Sequence, residues 1–403
     1  MVTSVARARV VGAFACLLLA VVPLAADRPY VLLGDSTNFA MGQPRVAIEV
    51  YDANRSSFGP AISNDFLLDS GAQGLVVVGT AAEELIDEGY QTVAVFDEAG
   101  IGGLTHPYDV SESYNMDFAG SDGNRHTLTG VRLMSDANIT FGDFSGIVGV
   151  SAMLNLATSM VFEPMAETFP EPIHVSFEHA VPTTWGHRYH VPLELREYPP
   201  TGQRDANDPL PTYAPLPFLP AEVRHGGAAE ANWLIADTGA QISILSTTMA
   251  FALGLDENGD GNLADDALGT VPLTGAGGEI EALIMQVDEI RLLTDENIDL
   301  VWGNCQIVVV DIDPSIPGVI GADLLTSGWL EAWGERLLGT DPTARGYLER
   351  CVFDLLDANS GWGTLVIDVE AGHDQVVPAP AALPVMLLTA AWVLRRRRGR
   401  PAR

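Results

Sequence analysis

Short apolar runs rich in Val, Ile and Leu alternate along the chain with polar stretches that carry Gly, Asp, Asn and Pro. Apolar runs of this length, bounded by turn-forming residues, are typical of β-strands. Clear examples read VAIEVYD, GLVVVG, MQVDEIRLL and QIVVVDID. Helical spacing is confined to a few stretches, which read TAAEELIDEG, STTMAFALG and SGWLEAWGERLLG. The pattern therefore predicts a mainly β protein.

The strand pattern also contains an internal repeat. Asp69 lies in FLLDSGAQGLVV and Asp237 lies in WLIADTGAQISIL, each directly after an apolar run. A Gly-rich segment follows each copy, GIGG in the first and GAGG in the second. An apolar-apolar-Gly element comes next, so that Gly149 lies 80 residues after Asp69 and Gly321 lies 84 residues after Asp237. Because the order and the spacing agree, we predict two similar lobes.

The two copies differ by insertions. A strand-like stretch precedes each Asp, RVAIEVYDA in the first copy and HVPLELREY in the second. The second copy then adds a Pro-rich segment, PPTGQRDANDPLPTYAPLPFLP, before its Asp. Proline lacks the backbone donor that a central strand needs, so we expect an exposed loop here.

An Asp-Ser/Thr-Gly sequence after an apolar strand resembles the active-site signature of the aspartic proteases. Two copies in one chain resemble the pepsin arrangement, and each lobe is similar to a retropepsin half, over residues 30 to 370. The resemblance implies a bilobal pepsin-like acid protease fold, in which two retropepsin-like β-barrel lobes hold the active site between them. We place the N-terminal lobe at residues 27–185 and the C-terminal lobe at residues 186–374.

Two carboxyl groups that face each other suit the hydrolysis of a peptide bond. Ionising both groups at once costs free energy because their like charges repel, so one of them keeps its proton. The pair then supplies a base to activate water and an acid to protonate the leaving nitrogen. We therefore predict Asp69 and Asp237 as the catalytic dyad. The glycine two residues after each Asp would let the backbone turn sharply. The resemblance implies that the hydroxyl residues in between hydrogen-bond across the dyad. These supporting residues are Ser70, Gly71, Thr238 and Gly239.

The Gly-rich segments predict flexible flaps that close over an extended peptide and exclude water. Members of the pepsin branch carry a tyrosine on one flap, and Tyr108 is the nearest candidate, although LTHPYDV departs from the pepsin pattern. The flap glycines that we predict are Gly100, Gly102, Gly103, Gly275, Gly277 and Gly278.

Charge narrows the range of partners. The chain of 403 residues carries 21 basic and 53 acidic side chains, a net charge of -32. This balance excludes nucleic acid, which needs a basic face. We expect a monomer that acts on a peptide or protein substrate and needs no cofactor for catalysis.

One acidic loop, DENGDGNLADD, predicts a structural calcium site as one alternative and an acidic surface turn as the other. Its first six positions match an EF-hand-type loop. The match ends at Ala267, where that loop would carry a bidentate Glu. The calcium ligands that we consider are Asp256, Asn258, Asp260, Asn262 and Asp265.

The N-terminus has the pattern of a secretory signal peptide over residues 1–26, with two arginines, an apolar run and small residues at its end. The C-terminal tail, residues 375–403, carries a short apolar run followed by Arg395 to Arg398. The tail resembles a PEP-CTERM sorting signal, which implies a processing enzyme as partner; a plain membrane anchor is the alternative. Either interpretation places the body of the protein outside the cytoplasm. There, Cys305 and Cys351 can form a disulfide, or both can stay free.

The sequence thus predicts a secreted or envelope-associated aspartic endopeptidase. Two alternatives remain at this point. One is a non-catalytic surface protein that binds peptides or wall components in the same cleft, and the other is a calcium-dependent adhesive module.

Overall fold

The computed structural model describes residues 28–36, 42–61, 65–100, 104–154, 159–164, 173–198, 205, 207–275, 278–341 and 343–379. The described residues between Pro29 and Val377 form one compact unit. The predicted signal peptide and all but the first residues of the predicted tail lie outside the described residues. Within the described part of the chain, no helix is long and apolar enough to cross a membrane.

The protein is mainly β, as predicted. The strands, in chain order, are β1 (Tyr30–Asp35), β2 (Arg45–Tyr51), β3 (Ser57–Gly59), β4 (Phe66–Asp69), β5 (Leu75–Val78), β6 (Thr92–Ala99), β7 (Thr105–Ser111), β8 (Tyr114–Ala119), β9 (Arg125–Val131), β10 (Met134–Asp136), β11 (Gly146–Gly149), β12 (Ser159–Pro164), β13 (Ile173–Glu178), β14 (His187–Arg196), β15 (Leu216–His225), β16 (Ala228–Ala236), β17 (Ile244–Leu245), β18 (Gly269–Gly275), β19 (Gly278–Leu292), β20 (Asp299–Val309), β21 (Gly318–Ile320), β22 (Leu348–Asp354), β23 (Trp362–Val369) and β24 (Val376–Val377). The helices are α1 (Gly79–Asp87), α2 (Val150–Leu154), α3 (Thr247–Ala252), α4 (Ala322–Leu325) and α5 (Trp329–Leu338).

Local sequence explains these elements. In β2 the buried positions are Val46, Ile48 and Val50, the period of two that a strand with one inward face requires. Helix α3 begins after Ser246, whose hydroxyl accepts a hydrogen bond from the Met249 N–H at 3.2 Å and so caps the helix. The three stretches with helical spacing become α1, α3 and α5.

The strands form two large sheets that reproduce the repeat. In the first sheet β11 lies between β4, to which it is parallel, and β5, to which it is antiparallel. In the second sheet β21 takes the same place between β16 and β17. The parallel pairing of β10 with β5 also recurs, as the pairing of β20 with β17. The internal similarity of the sequence therefore corresponds to a repeated strand topology.

The second sheet also connects distant parts of the chain. Strands β12 and β13 precede the predicted lobe boundary in sequence, yet β12 pairs with β22 from near the end of the described chain. One hydrophobic cluster includes buried residues from both repeats, among them Leu68 and Ala236. The strands that carry the two Asp residues therefore end close to a common core.

The Pro-rich segment is only in part the exposed loop that we predicted. Its last residues, from Leu216, belong to β15, and Phe218 and Leu219 are fully buried. Pro217 and Pro220 have no backbone N–H to donate. They are tolerated there because the neighbouring residues of the strand make the hydrogen bonds that pair it.

Candidate active site

Each predicted catalytic Asp lies at the end of a strand, beside its own apolar-apolar-Gly element. Asp69 ends β4 and is in register with Gly149 of β11. The Asp237 N–H donates a hydrogen bond to the Ile320 carbonyl, one residue before Gly321, at 3.0 Å. Segments 80 or more residues apart in sequence are thus neighbours, and they fix the course of the backbone at each Asp.

Gly149 and Gly321 stand where two backbone segments cross. A Cβ atom on Gly149 would lie 2.2 Å from the Gly74 carbonyl oxygen, and one on Gly321 would lie 2.7 Å from the carbonyl carbon of Ile242. A non-bonded carbon cannot approach that closely, so only glycine fits at either position. The role of the repeated apolar-apolar-Gly element is therefore close packing behind the Asp loop.

The two Asp loops are joined by reciprocal hydrogen bonds between buried hydroxyl residues. The Ser70 N–H donates to the Thr238 hydroxyl at 3.1 Å, and the Thr238 N–H donates to the Ser70 hydroxyl at 3.0 Å. Each hydroxyl also donates across the lobes, Ser70 to the Ala236 carbonyl and Thr238 to the Leu68 carbonyl, both at 2.7 Å. Four hydrogen bonds therefore fix the position of one loop against the other.

The carboxyl groups of Asp69 and Asp237 meet beyond this junction and hydrogen-bond to each other. Each also accepts a hydrogen bond from the N–H of the glycine two residues on, Gly71 to Asp69 at 2.8 Å and Gly239 to Asp237 at 2.7 Å. The two carboxyl groups are held from both sides, with little freedom to rotate away from each other.

Burial sets the protonation of this pair. Burial and the charge of Asp237 raise the pKa of Asp69 well above the ordinary value. Burial also raises the pKa of Asp237, against hydrogen bonds from Asp69 and from backbone N–H groups that lower it. One proton is therefore retained by the pair well into the pH range where an isolated Asp is ionised.

The dyad lies in a cleft of about 840 Å³ lined by residues of both repeats. The predicted flap residues Gly100 and Gly275 also line it. A Cβ atom on Gly278 would lie 3.8 Å from Leu104, so the two flap hairpins approach each other. The cleft thus has the carboxyl pair as one wall and the flaps as another, an arrangement with room for an extended peptide.

Three of the predicted flap glycines, Gly102, Gly103 and Gly277, are outside the described residues. Tyr108 is fully buried in β7 and packs with Phe96 beneath the first flap instead of lining the cleft. Its candidacy as a flap tyrosine has no support from its position.

Sequence reasoning missed several polar residues of the cleft. Gln43 donates from its amide to the Gly239 carbonyl beside the dyad. Tyr213, from the Pro-rich segment, donates from its hydroxyl to the Glu98 carboxylate at the base of the first flap. Tyr213 and Glu98 come from opposite repeats, and no local pattern marks either residue.

The predicted disulfide is absent. Cys305 and Cys351 are both free and buried. They lie in β20 and β22, which are not neighbouring strands, whereas a disulfide needs Cα atoms within about 7 Å. Burial raises the pKa of both thiols, so each remains protonated at neutral pH.

The calcium alternative for the acidic loop gains no support from the structure. Among the residues that the structure describes, no group of three His, Cys, Asp or Glu side chains is placed to hold a metal ion. Asp256 instead accepts hydrogen bonds from the loop N–H groups of Gly259, Asp260 and Gly261 at 2.8 to 3.2 Å. The acidic residues here act as turn-forming acceptors.

Comparison with known proteins gives a family match over part of the chain. The sequence model of the aspartyl protease family matches residues 221–324, a range that includes Asp237 but not Asp69. No curated protein matches the sequence. Among solved structures, the crystal structure of the aspartic proteinase from Irpex lacteus is similar to 82% of this chain, over 98% of its own length, with 11% sequence identity and a TM-score of 0.42. The second repeat therefore carries the sequence signature of an aspartyl protease.

Proposed function

We propose that this protein is an aspartic endopeptidase whose catalytic groups are Asp69 and Asp237. The observation that carries the proposal is the contact between the two carboxyl groups, held by the Ser70 and Thr238 hydrogen bonds at the wall of an open cleft. The sequence signature of the aspartyl proteases in the second repeat supports the same reaction class.

The reaction follows from a pair that shares one proton. The ionised carboxylate removes a proton from a water molecule, and the water oxygen bonds to the peptide carbonyl carbon. The protonated partner donates to the carbonyl oxygen, which gives a tetrahedral intermediate. The C–N bond then breaks as the leaving nitrogen takes a proton from the pair, and one hydroxyl of the intermediate returns its proton to the pair as the C=O bond re-forms. The pair ends with one proton, as it began, so no cofactor is consumed.

The test is cleavage of an unfolded protein substrate from acid to neutral pH, with and without pepstatin. The full chain is compared with Asp69→Asn and Asp237→Asn, and new termini are identified by mass spectrometry. Loss of a general base or acid lowers the rate of a reaction roughly 10²- to 10⁴-fold. The cleavage rate of both variants should therefore be lower than that of the parent protein by at least the smaller factor. Asp87→Asn, an exposed position at the end of α1, makes the same change away from the cleft and should keep full activity.

Two results separate the alternatives. Cleavage that survives in either dyad variant would assign the chemistry to other residues. Peptide binding without turnover, equal in the parent protein and in both variants, would favour a binding module that uses the same cleft.

We also propose that the protein acts outside the cytoplasm. The support is the sequence alone, namely the signal-peptide pattern over residues 1–26 and the apolar run with an Arg cluster in the tail. Cell fractionation, with N- and C-terminal peptide mapping of the recovered protein, tests both export and processing. An uncut chain in the cytoplasmic fraction would contradict this proposal.

A further inference from the structure

Among the described residues, every charged side chain that lines the cleft is acidic, and none is Arg or His. The acidic lining residues are Asp69, Glu98, Asp143, Asp237 and Asp313. Two of these form the catalytic pair, which leaves three carboxylates to contact other parts of a bound peptide.

Two of the three already have partners. Asp143 forms an ion pair with the Arg45 guanidinium at 2.8 Å, and its side chain is 73% exposed, so water screens what remains of its charge. Asp313 accepts a hydrogen bond from the Ser315 N–H at 2.8 Å as well as one from the Ser315 hydroxyl. Both residues are exposed, so water screens an ion pair that a substrate cation would form with either.

Glu98 differs from both. Its carboxylate accepts a hydrogen bond from the Tyr213 hydroxyl at Oε2, and within the described part of the chain no Arg or His side chain forms an ion pair with it. The residue opposite in the neighbouring strand is His106, whose ring bonds to Asp136 at 2.7 Å. Burial raises the pKa of Glu98 to about 6, because water solvates this carboxylate poorly.

The Tyr213 side chain is itself firmly placed. Its ring packs against Phe96 at 5.6 Å between centroids. The preceding residue, Thr212, forms two hydrogen bonds with the Arg132 backbone. Its N–H donates to the Arg132 carbonyl at 3.0 Å, and its hydroxyl accepts from the Arg132 N–H at 2.8 Å. The Pro-rich segment is thus fixed to the first repeat, and Tyr213 holds Oε2 of Glu98, a residue that lines the cleft.

We propose that Glu98, positioned by Tyr213, is a specificity-determining residue that selects peptides with an Arg or Lys side chain at the position next to the first flap. This inference rests on the proposed peptidase function. A substrate guanidinium or ammonium group would supply the cationic partner that the protein itself does not provide, through a charge-assisted hydrogen bond to Oε1.

The test uses a fluorogenic peptide library in which one position at a time carries Arg, Lys, Gln or Glu. At one position the parent protein should cleave the Arg or Lys peptides with a kcat/KM about 10- to 100-fold above that for Gln, the range of a charge-assisted hydrogen bond. Glu98→Gln keeps the volume and an acceptor for Tyr213 but removes the charge. It should reduce this ratio to within about threefold. Glu83→Gln, an exposed residue of α1, makes the same change in net charge and should keep the ratio.

A second measurement needs no variant. In the parent protein the Arg-to-Gln ratio should fall as the pH is lowered through about 6, because a protonated Glu98 carries no charge. Changes in the dyad affect both peptides alike and cancel in the ratio. Binding of the same peptides, followed by fluorescence anisotropy, gives a readout that does not require turnover.

The outcomes distinguish this inference from the proposed function. Cleavage without a preference for Arg or Lys, or with a preference that Glu98→Gln leaves intact, overturns the subsite and leaves the peptidase standing. Charge-selective binding that Glu98→Gln abolishes, without any cleavage, supports the subsite and overturns the peptidase. Absence of both cleavage and selective binding overturns both.

Discussion

A methyl group added to Gly71 would lie 2.3 Å from the carboxyl carbon of Asp237, and one added to Gly239 would lie 2.4 Å from that of Asp69. Each repeat therefore leaves room, at its own glycine, for the Asp side chain of the other. This reciprocal contact is what turns two Asp-x-Gly turns into one carboxyl pair.

We expect Gly71→Ala to disable the dyad while the protein still folds. The added methyl group must displace the Asp237 carboxyl, and overpacking of this kind costs about 1–3 kcal/mol of unfolding free energy. A displacement near 1 Å at reacting groups lowers activity by roughly 100-fold. Peptide cleavage and thermal unfolding measure the two effects. Gly269→Ala, where nothing lies within 4 Å of the new atom, is the matched control. Full activity in Gly71→Ala would contradict the geometry described above.

Thr238→Val should destabilise the junction between the repeats. The variant keeps the shape of the side chain but leaves the Ser70 N–H and the Leu68 carbonyl without their partner. An unsatisfied buried polar group costs about 1–3 kcal/mol, so we expect a loss of roughly 2–4 kcal/mol in chemical denaturation. Thr92→Val, at an exposed strand position, controls for the substitution itself. A loss no larger than that of Thr92→Val would show that these hydrogen bonds add nothing to stability.

Stability should depend on pH through the dyad. The pKa of Asp69 is raised in the folded protein, so the folded state holds its proton more tightly than the unfolded chain does. This contribution is fully present below the ordinary Asp pKa of about 3.9 and is lost as the pH rises through the raised value. Asp69→Asn has no such proton.

The Tm of the parent protein relative to Asp69→Asn should therefore decrease between pH 4 and pH 8. The expected decrease is about 2–4 °C for each unit by which the pKa is raised. Taking the difference between the two proteins removes the contributions of Glu98 and Asp323, whose pKa values burial also raises. A difference that stays constant with pH would mean that folding does not raise the pKa of Asp69.

Both structural cysteines should be recovered as free thiols. Alkylation of the native protein without reductant should leave Cys305 and Cys351 unmodified, because both are buried and protonated. Unfolding in denaturant should make both reactive, which peptide mapping by mass spectrometry can assign. Reductant should not change the Tm. Recovery of a Cys305–Cys351 cross-linked peptide would contradict the structure.

The sequence alone was sufficient to predict those features that depend on a local pattern of residues. An apolar run with a period of two became the strand around Val46, a continuous apolar run became the buried strand around Val76, and the repeated Asp-Ser/Thr-Gly turns predicted Asp69 and Asp237. Such features are readable because the backbone dictates which neighbouring side chains share a face, and because a repeated unit repeats its packing requirements.

The tertiary structure decided how those local units meet. The Tyr213 and Glu98 side chains are 115 residues apart and touch only because the Pro-rich segment packs on the other repeat. The fold also places Cys305 and Cys351 on separate strands. In the acidic loop, the Asp side chains accept hydrogen bonds from N–H groups of the same loop. Residue type determines what a side chain can bond, but the partner within reach depends on the packing of the whole chain. The sequence therefore determined the two Asp-Ser/Thr-Gly turns, and only the fold determined that their carboxyl groups meet at the wall of a cleft whose lining includes other acidic groups.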